Sequence, residues 1–131
     1  MIIYLIFLFI LFVAPIIWYN YIFKKNDKVL INMPFNGLEI GQELLQEYSL
    51  NDVRIETTKL GDHYDLTNKK VMVLEDRLGK KSLTSITIIC HEIAHAIQHK
   101  ENYKPLQRRN VIVKSTCLLY TSDAADEEAW G

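Results

Sequence analysis

The sequence SLTSITIICHEIAHAIQHKEN occupies residues 82–102 and contains two histidines, His91 and His95, four positions apart. We predict a helix over this stretch, and Ser82 is a residue type that commonly caps a helix N-terminus. Residues four apart lie one above the other on a helix, so the two imidazoles project from the same face. The spacing therefore predicts two neighbouring side chains that can bind one metal ion.

The motif His91-Glu92-Ile93-Ala94-His95 is the HExxH pattern, and its chemistry points to zinc. Zinc accepts imidazole nitrogens at about 2.0–2.1 Å, and a catalytic site keeps one position open for water. Glu92 is turned around the helix from His91, so it is better placed to take a proton from that water than to bind the metal. His91 and His95 are the candidate zinc ligands, and Glu92 is the candidate general base.

An alternative is that the two histidines are a hydrogen-bonded pair in the protein core. The flanks of the motif are apolar, so we expect the histidines to lie on a mostly buried helix, where imidazoles need hydrogen-bonding partners. His99 lies one turn further along, but a third ligand from one straight helix is difficult to bring round to a tetrahedral site. We interpret His99 as a residue that supports the site.

The chain begins with an apolar segment. Residues 2–23 carry no charged side chain and are interrupted only by Pro15 and Asn20, which is long enough to span a bilayer. A basic start and a small-residue exit, typical of a cleaved signal peptide, are not evident. Lysines at 24, 25 and 28 follow an aromatic cluster, which predicts that this end faces the cytoplasm. We predict a retained transmembrane helix over 1–23, a lipid bilayer as partner and a cytoplasmic catalytic domain.

Length and charge limit the other possibilities. The 131 residues suffice for the membrane helix, a linker over 24–35 and one small domain over 36–114. The net charge is −1, and no basic patch is interleaved with aromatic residues, so we expect no nucleic-acid partner. Cys90 and Cys117 do not form a disulfide framework.

The segments before the motif predict a small α+β fold. Asn36 and Glu39 form a capping-box pattern at the start of an amphipathic stretch that ends near Tyr48, which predicts a short helix. Residues 53–57 alternate with period two, and residues 70–75 contain a second apolar run. We predict that these two segments are strands of a small antiparallel sheet.

A polar cluster, Asp62-His63-Tyr64-Asp65, lies between the two predicted strands. Turns favour Asp on backbone grounds alone, so one interpretation is a polar hairpin or loop. The other is that His63, Tyr64 and Asp65 contact the site or its substrate. The sequence does not choose between the two.

The combined pattern resembles the YugP-type membrane zinc metallopeptidases. The resemblance reaches to about residue 114 and is carried by residues 62–65, a strand, Ser82, the run 91–99, Tyr103, Leu106 and Arg109. It implies a zincin-like fold in which His91 and His95 bind zinc and Glu92 is the catalytic acid and base. Two positions depart from the family, since Ala94 stands where Gly is more frequent and Leu66 where Pro is frequent.

Members of that family continue into further membrane helices and an acidic motif that supplies the third ligand. The resemblance therefore implies that this chain is truncated at its C-terminal end. Residues 117–131 resemble the translation of a transposase adapter used in sequencing libraries, so we interpret them as non-native. The alternative is a natural disordered acidic tail. We expect residues 1–116 alone to bind zinc weakly and to lack peptidase activity.

Two functions from different classes are consistent with these features. The first is a membrane-anchored zinc peptidase that hydrolyses a peptide or protein substrate by metal-activated water. A strand at the edge of the sheet, with residues 71–74 as the candidate, would hold the peptide extended. The second is a non-enzymatic membrane protein whose histidines bind a structural metal or pack together.

Overall fold

A long N-terminal helix precedes a small α+β unit in a computed structural model, which describes the backbone of residues 1–130 and the side chains of residues 1–117. The elements in chain order are α1 (Ile2–Asn26), α2 (Gly37–Glu47), β1 (Arg54–Thr58), β2 (His63–Asp65), β3 (Lys70–Leu74), α3 (Glu75–Leu78), α4 (Leu83–Lys100) and α5 (Lys104–Trp130). The predicted α+β class is confirmed.

Helix α1 is apolar up to its last turn, which carries Lys24 and Lys25, and none of its residues is buried in the protein core. It contains 25 residues, none of them buried, and at 1.5 Å per residue it is about 37 Å long. That length exceeds the roughly 30 Å of a bilayer's hydrocarbon core. Helix α1 is therefore long and apolar enough to cross a membrane.

Helix α2 begins with the predicted capping box. The backbone N–H of Glu39 donates to Asn36 Oδ1 at 2.9 Å, and the backbone N–H of Asn36 donates to Glu39 Oε2 at 2.8 Å. These bonds satisfy two backbone donors that a helix start otherwise leaves without partners. The predicted start of this helix is confirmed.

The sheet has the strand order β1-β3-β2 and is mixed. Strand β1 pairs with β3 in parallel, and β2 pairs with β3 antiparallel. The predicted antiparallel sheet was wrong because the segment between the two predicted strands forms a third strand. The chain reverses direction between β1 and β2 and again between β2 and β3, so β3 runs parallel to β1.

Strand β3 lies at the centre of this sheet. Its side chains Val71 and Val73 are fully buried and contact the core. The prediction that residues 71–74 form an edge strand was therefore wrong, because β3 has a neighbour on both sides. The two edges of the sheet are β1 and β2.

Helix α4 carries the motif and packs one face against the sheet. Ser82 caps it as predicted, because its Oγ accepts a hydrogen bond from the backbone N–H of Ser85 at 3.1 Å. Ile89 and Ile93 are almost completely buried in the core with Val71 and Val73. Full burial of one such side chain stabilises the fold by about 1.5–3 kcal/mol.

The end of α1 is bonded to the start of α4. The Asp27 carboxylate accepts hydrogen bonds from Lys80 Nζ at 2.5 Å and from Ser82 Oγ at 3.0 Å. The hydroxyl of Thr84 donates to the carbonyl oxygen of Phe23 at 2.8 Å. These contacts fix the direction in which α1 leaves the α+β unit.

Two helices were not predicted from the sequence. Helix α3 is a single short turn after β3, and α5 follows α4. Leu106 of α5 is buried and lines a cavity together with His91 and His95 of α4. We interpret residues 117–131 as non-native. Except for Cys117, the side chains of these residues lie outside the described part of the structure, so this interpretation stays a prediction.

Candidate metal centre

The ring nitrogens of His91 and His95 converge on one point. Their Nε2 atoms lie 3.2 Å apart. Two zinc–nitrogen bonds of about 2.0–2.1 Å at a tetrahedral angle place the nitrogens roughly 3.3 Å apart, so this pair has the separation of two ligands of one zinc ion. The imidazoles therefore fit zinc as two members of its ligand set.

Gln98 holds the ring of His95 in the orientation that a metal ligand needs. Its Oε1 lies 3.0 Å from His95 Nδ1. An amide oxygen can only accept, so this contact favours the tautomer with the proton on Nδ1 and a lone pair on Nε2. Sequence reasoning did not assign Gln98 a role, although its position three residues after His95 was an available signal.

The two histidines do not lie on the buried side of α4. His91 is exposed and His95 is half-buried, whereas Ile89 and Ile93 occupy the core face. Most residues of α4 are buried or half-buried, as expected, but His91 lies on the part of the helix that stays exposed. A hydrogen-bonded pair within the core is therefore inconsistent with this structure.

Glu92 is buried, with 8% of its surface exposed, and lies where two cavities meet the motif. One cavity, of about 120 Å³, lies between β2, α4 and α5, and the other, of about 500 Å³, lies between the end of α1 and α4. Glu92 and His91 line both. A polypeptide that passes from one cavity to the other would cross the motif.

The polar cluster of residues 62–65 is not a loop, since His63, Tyr64 and Asp65 form strand β2. His63 and Tyr64 line the smaller cavity with His91 and His95. The ring of His63 is exposed, and its Nδ1 lies 2.8 Å from the carbonyl oxygen of Gly61. Asp62 lines the same cavity, so the fold brings three members of this cluster to the motif.

Asp65 has a local structural role. Its Oδ1 accepts hydrogen bonds from the backbone N–H groups of Thr67 and Asn68, and its Oδ2 accepts one from the Asn68 side chain. These bonds, led by the one from the Asn68 side chain, lower the pKa of the carboxyl. Asp65 shapes the turn between β2 and β3 and does not line either cavity that meets the motif.

His99, one turn after His95 on α4, is held by Tyr64. The Tyr64 hydroxyl lies 3.0 Å from His99 Nδ1, and burial, with smaller contributions from the charges of Asp52 and Asp65, raises the pKa of Tyr64 to about 12. The hydroxyl therefore keeps its proton near neutral pH. His99 lines a separate cavity of about 320 Å³ that does not include His91 or His95.

A model of the protein family described as "Putative neutral zinc metallopeptidase" matches residues 1–122. The chain belongs to this family. A curated relative, the "Putative membrane protease YugP" of Bacillus subtilis (strain 168), is 35% identical over 92 residues, which are 69% of this chain and 41% of the relative. The chain thus spans less than half the length of that relative. No solved structure matches it.

The predicted resemblance to YugP-type proteins is confirmed by these two matches. The match to the zinc metallopeptidase family includes α1, the polar strand β2 and the motif helix α4. The sequence left open whether residues 62–65 contact the site, and in the structure His63 and Tyr64 of β2 lie beside the motif. Antiparallel pairing with β3, the next strand along the chain, holds β2 in this position.

The sequence also did not predict a largely buried ion pair between Arg77 and Asp62. Arg77 Nε lies 2.7 Å from Asp62 Oδ2, and the two side chains are 20% and 14% exposed. Asp62 Oδ1 accepts a hydrogen bond from the backbone N–H of Leu74. Asp62 lines both cavities, so this pair forms part of the wall next to Glu92.

The described side chains include two histidines, His91 and His95, whose Nε2 atoms have the separation of two zinc ligands. Among residues 1–117, no group of three or more His, Cys, Asp and Glu side chains is placed to hold a metal ion. A catalytic zinc site has three protein ligands and an open position. His91 and His95 therefore form an incomplete ligand set within the described part of the chain.

Proposed function

We propose that this chain is part of a membrane-anchored, zinc-dependent peptidase in which His91 and His95 bind the metal and Glu92 is the general base. The observation that carries the proposal is the convergence of the two Nε2 atoms, 3.2 Å apart, beside a buried glutamate at the meeting of two cavities. Membership of a zinc metallopeptidase family supports it, as does a relative named as a membrane protease.

The residues of the motif divide the chemistry of hydrolysis between them. A bound zinc ion would polarise the scissile carbonyl and acidify the attacking water. Glu92 takes a proton from that water as its oxygen bonds to the carbonyl carbon, and it then gives the proton to the leaving nitrogen as the C–N bond breaks. Gln98, whose Oε1 lies 3.0 Å from His95 Nδ1, would favour the His95 tautomer whose Nε2 lone pair is available to a metal.

The substrate peptide would bind along β2. Strand β2 lies at an edge of the sheet, so one side of its backbone is free of strand neighbours within the described residues. His63 and Tyr64 of this strand line the smaller cavity together with Glu92. Strand addition at this edge would place an extended peptide beside the motif. The sequence predicted residues 71–74 as the peptide-binding edge strand, and we now assign that role to β2. We also propose that the fold is zincin-like.

The first test is zinc binding by the full chain in lipid nanodiscs, measured by competition with a chromophoric chelator. His91→Ala and His95→Ala should each weaken binding strongly, whereas Glu92→Gln should retain it. His63→Ala is a matched histidine control and should bind zinc like the wild type. Unchanged zinc affinity in both His91→Ala and His95→Ala would overturn the assignment of the ligands.

The second test separates catalysis from the alternative of a structural metal, with which the 3.2 Å separation of the two Nε2 atoms is equally consistent. Residues 1–116 are joined to the remaining C-terminal part of the Bacillus subtilis relative, and cleavage of a casein substrate is followed. Glu92→Gln in this fusion should keep zinc and lose proteolysis. Proteolysis at the wild-type rate in Glu92→Gln would exclude Glu92 as the base.

The proposal also includes an orientation for α1. Lys24, Lys25 and Lys28 follow the apolar segment directly, so the end of α1 that bonds to α4 would face the cytoplasm. We predict that a protease added to intact cells leaves the α+β unit uncut and digests it after the membrane is permeabilised. Digestion in intact cells would place the motif on the outer side.

A further inference from the structure

The larger of the two cavities that meet the motif is a cleft between the last turns of α1 and the exposed face of α4. Tyr19 and Phe23 line it from α1, and Thr87 and Ile88 line it from α4. The rings of Tyr19 and Phe23 are in contact, with centroids 4.1 Å apart and planes tilted by 31°. The cleft has a volume of about 500 Å³ and ends at His91 and Glu92.

The two walls of this cleft are held together by specific bonds. Thr84 at the start of α4 donates to the carbonyl oxygen of Phe23, and Asp27 binds both Lys80 and Ser82. The backbone N–H of Leu30 also donates to the carbonyl oxygen of Lys81 at 2.8 Å. The separation between α1 and α4 is therefore set by the fold.

The cleft lies at the level where the apolar part of α1 gives way to charge. Tyr19 and Phe23 belong to the aromatic segment that precedes Lys24 and Lys25, which is the composition of a membrane–water interface. The rise from Tyr19 to Lys24 is about 7.5 Å at 1.5 Å per residue. An occupant of the cleft would therefore lie within one headgroup layer of the hydrocarbon.

We propose that the cleft receives an extended segment of another membrane-anchored polypeptide, immediately next to that polypeptide's own transmembrane span. A large apolar side chain of the segment lies between Phe23 and Ile88, and its backbone continues to His91 and Glu92. This inference rests on the proposed function, which places α1 across the bilayer. It gives the substrate class as membrane proteins cut within a few residues of the bilayer surface.

Two features favour this occupant over a soluble peptide. One wall of the cleft is a helix end at the interface, so a peptide from solution would have to enter the headgroup layer to reach it. A polypeptide with its own span is already confined to that depth, which raises its effective concentration at the cleft. The aromatic and aliphatic lining at Phe23 and Ile88 suits the apolar residues that flank such spans.

The test is photo-crosslinking of the full chain in nanodiscs, with Phe23 replaced by p-benzoylphenylalanine. The matched control carries the same group at Trp18, which is 67% exposed and does not line the cleft. Three biotinylated probes share one Phe-containing tail. In the first probe, a spacer of about four residues joins the tail to a Leu-Ala transmembrane span. In the second probe, about 25 Gly-Ser residues join the same tail to the same span. The third probe is the tail alone.

Crosslinking from position 23 should map to the tail of the short-spacer probe and exceed that of the other two probes by about tenfold or more. Crosslinking from position 18 should not distinguish the two spacers. Ile88→Arg should abolish the signal from position 23. Ile112→Arg, at an exposed position of α5, should preserve it.

Equal crosslinking of all three probes would overturn the inference, as would adducts at position 23 that contain lipid and no peptide. The failure of the proposed function has a different signature. If the short-spacer probe is selected but His91→Ala and His95→Ala leave zinc binding unchanged, the docking surface is supported and its link to zinc-dependent cleavage is lost.

Discussion

At the scale of single residues, three of the four histidines are distinguished by the partner of Nδ1. Gln98 holds His95, the carbonyl oxygen of Gly61 holds His63 and Tyr64 holds His99. The spacing of His91 and His95 was sufficient to predict a converging pair, because helix geometry alone places them together. The bond from Tyr64 to His99 was not predictable, since it joins residues that are 35 positions apart and depends on the packing of β2 against α4.

Replacement of Gln98 by Leu should weaken zinc binding by about 10- to 100-fold, the usual cost of losing a partner that orients a ligand. The His95 ring then loses the acceptor that favours the metal-binding tautomer. Gln98→Glu keeps an acceptor at the same position and should retain most of the affinity. Chelator competition measures the zinc affinity of both variants, and Gln42→Leu, at an exposed position, is the control. Equal zinc affinity in Gln98→Leu and the wild type would show that Gln98 does not orient His95 for zinc.

At the scale of elements, the structure agrees with the sequence wherever the signal is local. The capping box of α2 and the Ser82 cap of α4 are set by residues three positions apart, and both form as predicted. Strand β2 has only three residues, two of them polar or charged. It forms because its backbone pairs with that of β3. A strand that depends on a partner elsewhere in the chain has no local pattern to reveal it.

Gly37 at the start of α2 shows how closely this helix packs on its neighbours. A Cβ at this position would contact Ile89 and lie 2.7 Å from the backbone oxygen of Arg77. Gly37→Ala should destabilise the fold by about 1–3 kcal/mol, because a backbone atom cannot move aside as a side chain can. Thermal unfolding followed by circular dichroism measures the effect. Gly79→Ala meets nothing within 4 Å and should be tolerated.

The bonds between α1 and α4 should depend on pH through Asp27. Its hydrogen bond with Lys80, helped by one from Ser82, lowers the pKa of this carboxyl in the folded protein. A lowered pKa contributes stability above the unfolded value, about 3.9 for Asp. That stability is lost as the pH falls through the folded pKa.

We therefore predict that acidification loosens the junction of α1 and α4 in the wild type as the pH falls through the lowered pKa of Asp27, because the carboxylate then takes up a proton. Fluorescence energy transfer between labels on α1 and α4 measures the separation. Asp27→Asn should already be loosened at neutral pH and lack this transition. The exposed Asp76→Asn is the control and should follow the wild-type profile. An identical acid transition in Asp27→Asn would assign it to another group.

At the scale of the whole molecule, the main consequence of the fold is that the motif helix and the apolar helix are joined by specific hydrogen bonds. The sequence predicted each helix by its own pattern, one by helical ligand spacing and the other by length and hydropathy. Their junction pairs Asp27 and Phe23 with Lys80 and Thr84, which lie more than 50 positions further along the chain, and these residues carry no motif. The cleft that leads from α1 to His91 and Glu92 could not be predicted for this reason.

On the proposed function, the described side chains leave the zinc ligand set incomplete. His91 and His95 would supply two of the three protein ligands that a catalytic zinc needs, and His99 is hydrogen-bonded to Tyr64. Residues 1–116 in nanodiscs should therefore show no peptidase activity and bind zinc much less tightly than their fusion to the C-terminal part of the Bacillus subtilis relative. Chelator dialysis followed by metal analysis compares the two proteins. Stoichiometric zinc retained by residues 1–116, with activity, would show that His63 or His99 moves to complete the site, because these are the two remaining histidines of the chain.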